Sequence, residues 1–272
     1  MKVKKIFWQS NNDINRKSAL FNSLILFILL IICYVVISDL RHISNPQDKI
    51  FPSLQQIEQG VKNSLTLNEA GVISLLADTS SSLMRFFIGI ILATAVGVFF
   101  GIGLGVFPFL ESLFSRFILY FDKVPPLALL PIIFIFSGLG EPTKILLIVI
   151  GVSPSITLDI YLRVKAFPKE QIIKAITLGA NKYKIITKVI LPQISPAIIN
   201  IVRLNLINVW LFLIAAESIA ASEGLGYRIF LVRRYLAMDI IIPYVLWIAF
   251  LSFFIDGVLA KWAKYQYPWY NK

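Results

Sequence analysis

The chain has 272 residues, of which 57% are hydrophobic and only 15% charged, with a mean hydropathy of +0.78. That composition excludes an ordinary soluble domain, and a single cysteine, Cys33, excludes an internal disulfide. A net charge of +11 invites nucleic acid as a partner, but the placement of that charge reports membrane orientation instead, and no nucleic-acid role is expected.

A helix of about 20 mostly apolar residues crosses roughly 30 Å of hydrocarbon. Runs that qualify sit near 20–38, 83–105, 145–161, 197–217 and 240–260. A weaker run near 117–137 is interrupted by Asp122, Lys123 and three prolines. The reading is an all-α membrane protein of about six transmembrane helices with both termini cytosolic. Residues 1–18 form a cytosolic N-tail and 19–38 the first span. Basic residues precede that span, but it is longer than a signal-peptide core and no A-x-A site follows, so it reads as an uncleaved anchor.

Residues 39–82 are expected as an external loop, broken by Pro46, Pro52, Gly60 and Gly71, with a surface helix near 53–64. The lone histidine, His42, falls in this loop and is read without a metal. A membrane core is expected over 83–260, with a cytosolic loop at 163–196 and a cytosolic C-tail at 261–272. In the second span Gly89, Ala93, Gly97, Gly101 and Gly105 recur every four residues and draw a stripe nearly free of side chains. In lipid, helices associate through close backbone approach and dispersion contacts, so the stripe predicts a tight helix–helix seam in a bundle or a dimer.

Pro125, Pro126 and Pro131 break the third span, and broken helices in transporters often line a cavity. Asp159 marks the inner end of the fourth span, while Arg203 and Asp256 near inner span ends are candidates for an ion pair. Glu217 closes the fifth span at its outer end, as a path or gate residue or as a structural hydrogen-bonding group. With the N-terminus inside, 17 Lys and Arg residues fall inside and 7 outside, counting Lys123 with the inner set. Arg228, Arg233 and Arg234 run against that bias; they can attract an anion, or meet another protein or lipid headgroups.

The segment 166–196 is polar and basic between greasy runs. Phe167-Pro168 is a helix start signal, and Ile172, Ile173, Ala175, Ile176 and Gly179 follow at helical spacing on roughly one face. Gly179 can end that helix in a left-handed conformation and Asn181 can cap the next, expected over 182–190 and stopping before Leu191-Pro192. Two short helices at a sharp angle result, whose cationic side chains face lipid headgroups or a partner.

The run LGANKYKIITKVILP resembles the cytosolic EAA-type loop of permease subunits of binding-protein-dependent ABC importers. That pattern is a glycine, nine residues, an aliphatic, any residue, Leu and Pro, here Gly179, Val189, Leu191 and Pro192. Where the family usually has Glu-Ala-Ala this chain has Ile173-Lys174-Ala175, with Glu170 one turn earlier as the substitute acid. KVPPLALLP from Lys123, SGLGEPTK at 137–144 and AAESIAASEGLGYRI at 215–229 resemble the nitrate/sulfonate/taurine branch. The similarity runs from about Leu83 to Asp256.

The resemblance implies a type I importer permease fold that forms the path for a small solute, paired as a homodimer. A cytosolic ABC ATPase and an external substrate-binding protein would be its partners. Pro168, Glu170, Ala175, Gly179, Ala180, Val189, Leu191 and Pro192 would then form the ATPase-coupling surface. The chain would be no enzyme and carry no cofactor or metal, and it shows no glycine-rich Walker pattern. Another cargo on the same fold, such as a pyrimidine or flavin precursor, is the nearest alternative. An ion-driven secondary transporter is a more distant one, since neither internal halves nor buried acidic relays are visible.

Overall fold

The computed structural model describes residues 16–45, 48–66 and 73–270. The expected N-tail up to residue 15, Pro46, Gly71 and Lys272 lie outside the described residues. Among the described residues eleven α-helices follow one another. In order they are α1 (Arg16–Ser44), α2 (Leu54–Leu65), α3 (Ser74–Val106), α4 (Pro108–Phe121), α5 (Leu130–Ser137) and α6 (Glu141–Lys165). Then come α7 (Lys169–Thr177), α8 (Lys182–Lys184), α9 (Leu191–Ala220), α10 (Leu225–Arg233) and α11 (Met238–Gln266). Five helical stretches are long and apolar enough to cross a membrane. The pair α4 and α5, bent by 89° at a short break, passes the same test only when taken together and counts as a sixth span if the two form one broken helix.

The core is a parallel pair, α3 and α6, joined along the small-residue stripe. Gly89 faces Ile148, Gly97 faces Ile156, Gly101 faces Ile160 and Gly105 faces Val164, so both helices advance together in one register. A Cβ at Gly101 would stand 2.7 Å from the Ile160 side chain, inside van der Waals contact. Ala93 and Val152, both fully buried, continue the two stripes. β-Branched side chains with one favoured rotamer thus fill grooves left by glycine, a seam within one chain. α9 closes the core on the other side, with Trp210 packed on Phe86 at 4.7 Å between ring centroids.

Three boundaries depart from the sequence reading. The expected 39–82 loop is shortened from both ends, because α1 runs on through His42 and α3 begins at Ser74. Asp78, Thr79 and Ser82, which read as loop, and Arg85, which read as a span end, are all buried inside α3 with polar partners. His42 is tied to the Ser38 carbonyl at 2.9 Å and to Gln56 Oε1 at 3.2 Å. Gly60 is no breaker: it sits within α2, where a side chain would collide with the backbone carbonyl of Asp239 at the start of α11. α2 itself starts on a capping box between Ser53 and Gln56.

The cytosolic helix does not stop before Leu191-Pro192. Lys182–Ala220 is one continuous helical stretch. A wider π turn at Ile185–Ile190 precedes the proline. Proline lacks an N–H and its ring collides with the carbonyl four residues back, so the wider turn absorbs Pro192 without breaking the helix.

Candidate functional site

Three polar or exposed features interrupt the apolar bundle: a buried ion network at the outer ends of the helices, the break in the bent span, and the cytosolic hairpin.

The outer network is built on α3. Arg85, 3% exposed, donates from Nε and Nη2 to the Glu141 carboxylate at 2.5 and 2.8 Å, and from Nη1 to Glu217 at 2.7 Å. Lys144 donates to Glu141 at 2.6 Å. Ser82 donates to Glu217 at 2.8 Å and accepts from the Leu225 N–H at 2.8 Å, while the Gly226 N–H donates to Glu217 at 2.8 Å. Asp78 accepts from the Gly224 N–H at 3.0 Å, from Arg228 at 2.8 Å and from the Tyr244 hydroxyl at 3.1 Å. The turn Gly224-Leu225-Gly226 is therefore stapled to α3 by its backbone, with Leu225 fully buried as a plug.

Both glycines are required there. Gly224 has φ +127, and a Cβ would fall 2.6 Å from Glu217 Oε1; at Gly226 it would fall 2.9 Å from the Ile214 Cα. Burial pulls the Arg228 guanidinium down, and the bond and charge of Asp78 more than offset it, so it stays above its usual range. Arg228 is thus committed inward. Arg233 lies over the Phe230 ring at 4.8 Å. Glu217 sits inside this network, 1% exposed.

In the bent span, Pro125 caps a short 3-10 turn at Pro126–Leu129 that leads into α5, and Pro131 lies in its first turn. All three prolines occupy positions where the missing N–H is not needed. Asp122, at the break, accepts a hydrogen bond from Ser155 in the middle of α6 at 2.8 Å. Lys123, next in the chain, therefore stands beside the middle of α6 rather than at the inner end expected from its place in the sequence. α4 starts at the inner face, where Glu111 bonds Lys165 and Tyr161 at 2.8 and 2.7 Å. α5 ends at the outer face, where the Thr143 hydroxyl donates to the Gly138 carbonyl at 2.5 Å. Arg203 and Asp256 form a two-bond ion pair at 2.8 and 3.0 Å.

At the cytosolic side α7 and α8 make a hairpin. Gly179 has φ +81. The Ala180 N–H reaches the Ala175 carbonyl at 3.0 Å and the Gly179 N–H the Ile176 carbonyl at 2.9 Å, the two bonds of a Schellman turn. Asn181 caps α8 by accepting from the Lys184 N–H at 2.9 Å, and Gln193 on α9 ties back to Gln171 at 2.9 Å. Pro168 precedes the first residue of α7, and Glu170 is exposed in its first turn. The expected single face splits in two. Ile172, Ala175, Ala180, Val189 and Leu191 pack on the core, while Ile173, Ile176 and Leu178 point away from it, 60%, 56% and 80% exposed. At about 100° per residue, 175, 172, 176 and 173 follow one another in that order around an arc of about 160°, so the line between packed and exposed falls between 172 and 176.

Sequence reasoning missed the partners of Glu217. The signal was present in the polar residues Asp78, Ser82 and Arg85, whose spacing of three to four residues marks one helix face.

Five long apolar helices, a bent helix pair and a short hairpin leading into a continuous helix define a multi-pass, all-α membrane protein. Residues 71–265 match the family described as binding-protein-dependent transport system inner membrane component, and the chain belongs to that family of ABC importer permeases. It is 32% identical over 193 residues to the taurine transport system permease protein TauC of Escherichia coli, covering 71% of this chain and 70% of that one. It is 33% identical over 200 residues to a putative ABC transporter permease of Methanocaldococcus jannaschii, covering 73% and 75%. A putative aliphatic sulfonates transport permease protein of Escherichia coli, SsuC, is 30% identical over 54% of this chain and 56% of its own length. The fold is that of a chain of the MetNI methionine ABC transporter solved in inward-facing conformations. The TM-score is 0.60 at 20% identity, covering 68% of this chain and 92% of that one.

Proposed function

We propose that this chain forms the membrane path of an importer for a small sulfonate-like solute and is driven by a separate cytosolic ATPase. The ATPase docks on the α7–α8 hairpin, and a second copy of the chain completes the path. The carrying observation is the hairpin's exposed apolar face. Ile173, Ile176 and Leu178 stand out among Lys169, Lys174, Lys182 and Lys184, all exposed, on a turn stiffened by its own hydrogen bonds. A rigid apolar patch with a basic rim is the usual form of a protein contact. The names of the relatives support the solute class, and the family description supports an external binding protein.

Pro125, Pro126 and Pro131 belong to the path by virtue of the break they create. We assign Glu217 to a latch that holds the α9–α10 turn against α3 rather than to contact with the solute. ATP hydrolysis falls to the docking subunit, and the permease supplies the moving walls.

The test is purification of the tagged chain from its native membranes under gentle extraction, with mass spectrometry of what accompanies it. A soluble ABC ATPase is expected, and its recovery should fall at least about tenfold when Gly179 and Ala180 are both replaced by Trp, since Gly179 needs a conformation that side chains resist. Absence of any ATPase from the wild-type preparation would overturn the coupling assignment.

A further inference from the structure

Lys123 is used by neither the latch nor the hairpin. Its side chain is 74% exposed in the break between α4 and α5, and the Asp122 carboxylate stands 3.9 Å away, long for a tight ion pair. Ser155, which bonds Asp122, fixes the depth. Along α6 (Glu141–Lys165) it lies about 20 Å from the outer end and about 15 Å from the inner end at roughly 1.5 Å per residue. That is too deep for the lysine stem to reach either headgroup layer. An ammonium facing hydrocarbon there is costly, and broken backbone at such depth is tolerated where it is buried in protein or lines a water-filled cavity. Lys123 is not buried by its own chain, and a water-filled cavity between the two copies proposed above is the condition that keeps its ammonium solvated.

A separate observation extends the same surface. Ser155, Asp159 and Arg163 recur every four residues on α6, and Asp159 and Arg163 are both exposed. Asp122 and Arg163 lie within electrostatic reach of Asp159. A polar stripe thus runs along α6 from the break to the inner end of the helix.

We infer that Lys123 is the cationic solute contact of the translocation path, which receives the acidic head of a small organic anion at mid-depth and releases it along Ser155, Asp159 and Arg163. The inference rests on the permease reading above and adds to it a residue and the sign of the ligand's charge. Asp122, held by Ser155, partly neutralises the ammonium, and Asp159 below repels an anion. Both keep the stay at Lys123 short, as conduction requires of a site that must be left as well as entered.

The test measures anion selection without any transport. Leu127, 40% exposed on the same turn, is replaced by Cys in a Cys33→Ser background, with the protein in the complex that co-purifies with it. Labelling by a water-soluble thiosulfonate carrying a sulfonate is compared with one carrying a quaternary ammonium. Local positive charge should favour the anionic reagent several-fold, roughly tenfold at low salt, and Lys123→Gln should abolish that preference while Lys123→Arg keeps it. No labelling at 127 would place the break away from water and overturn the path. Labelling with a ratio indifferent to Lys123 would overturn the anion contact. Uptake of a small sulfonate into proteoliposomes by the full importer should fall at least about tenfold in Lys123→Gln, because one buried charge contact is commonly worth that much. If the wild type takes up no sulfonate, the solute class proposed above fails, while the labelling ratio still decides the role of Lys123.

Discussion

Arg85 spans two carboxylates from different helices, Glu141 on α6 and Glu217 on α9, with almost no solvent access. Removing one partner of a buried pair leaves the other charged and undersolvated, which costs about 3–5 kcal/mol. Glu217→Gln should therefore destabilise the detergent-solubilised protein by about 3 kcal/mol, near the low end because Glu141 still holds Arg85. Thermal unfolding followed by intrinsic fluorescence measures this, and an unchanged midpoint would show the network to be dispensable. Gly224→Ala acts on the same site through the backbone. At φ +127 a side chain is strained before it meets Glu217, so a loss of about 1–3 kcal/mol is expected in the same assay.

At the scale of elements, the α3–α6 seam shows what a sequence can and cannot reveal. The small-residue stripe was legible because a period of four in Gly and Ala stands out against large apolar residues. The partner stripe, Ile148, Val152, Ile156, Ile160 and Val164, was not, because one more set of aliphatic residues in an apolar helix has no contrast. For the same reason the hairpin turn was legible from Gly179 and Asn181, whereas the π turn was not: a proline announces a disturbance without saying whether the helix stops or widens. The latch was half legible, with Glu217 visible as a charge at a span end. Its partners lie some 130 residues earlier, where Ser82 read as loop and Arg85 as a span end, because burial of polar residues depends on contacts distant in sequence. The seam makes a paired prediction. Gly97→Leu should abolish a monodisperse peak in size-exclusion chromatography, since Ile156 already occupies that space. Gly103→Leu, on the same helix, should not, because a Cβ there meets only the end of Leu110 at 3.5 Å.

At the scale of the whole molecule, one helical stretch joins the cytosolic hairpin to the outer latch. Lys182–Ala220 comprises 39 residues and carries Asn181 at one end and Glu217 near the other. At about 1.5 Å per residue that is nearly 60 Å of continuous helix, longer than the bilayer is thick. A shift of the hairpin is thus delivered to the latch as motion of a rod, provided the π turn at Ile185–Ile190 does not bend. Replacing Thr187 and Lys188 together by Gly should soften that turn, with a helix-propensity cost near 1 kcal/mol. Neither residue forms part of the exposed apolar patch, so ATPase co-purification should be retained. Solute moved per ATP hydrolysed in proteoliposomes should fall several-fold, because part of each stroke is lost as bending at the turn. An unchanged ratio would mean that the stroke travels through α6 or α7 instead, leaving α9 as a passive wall of the path.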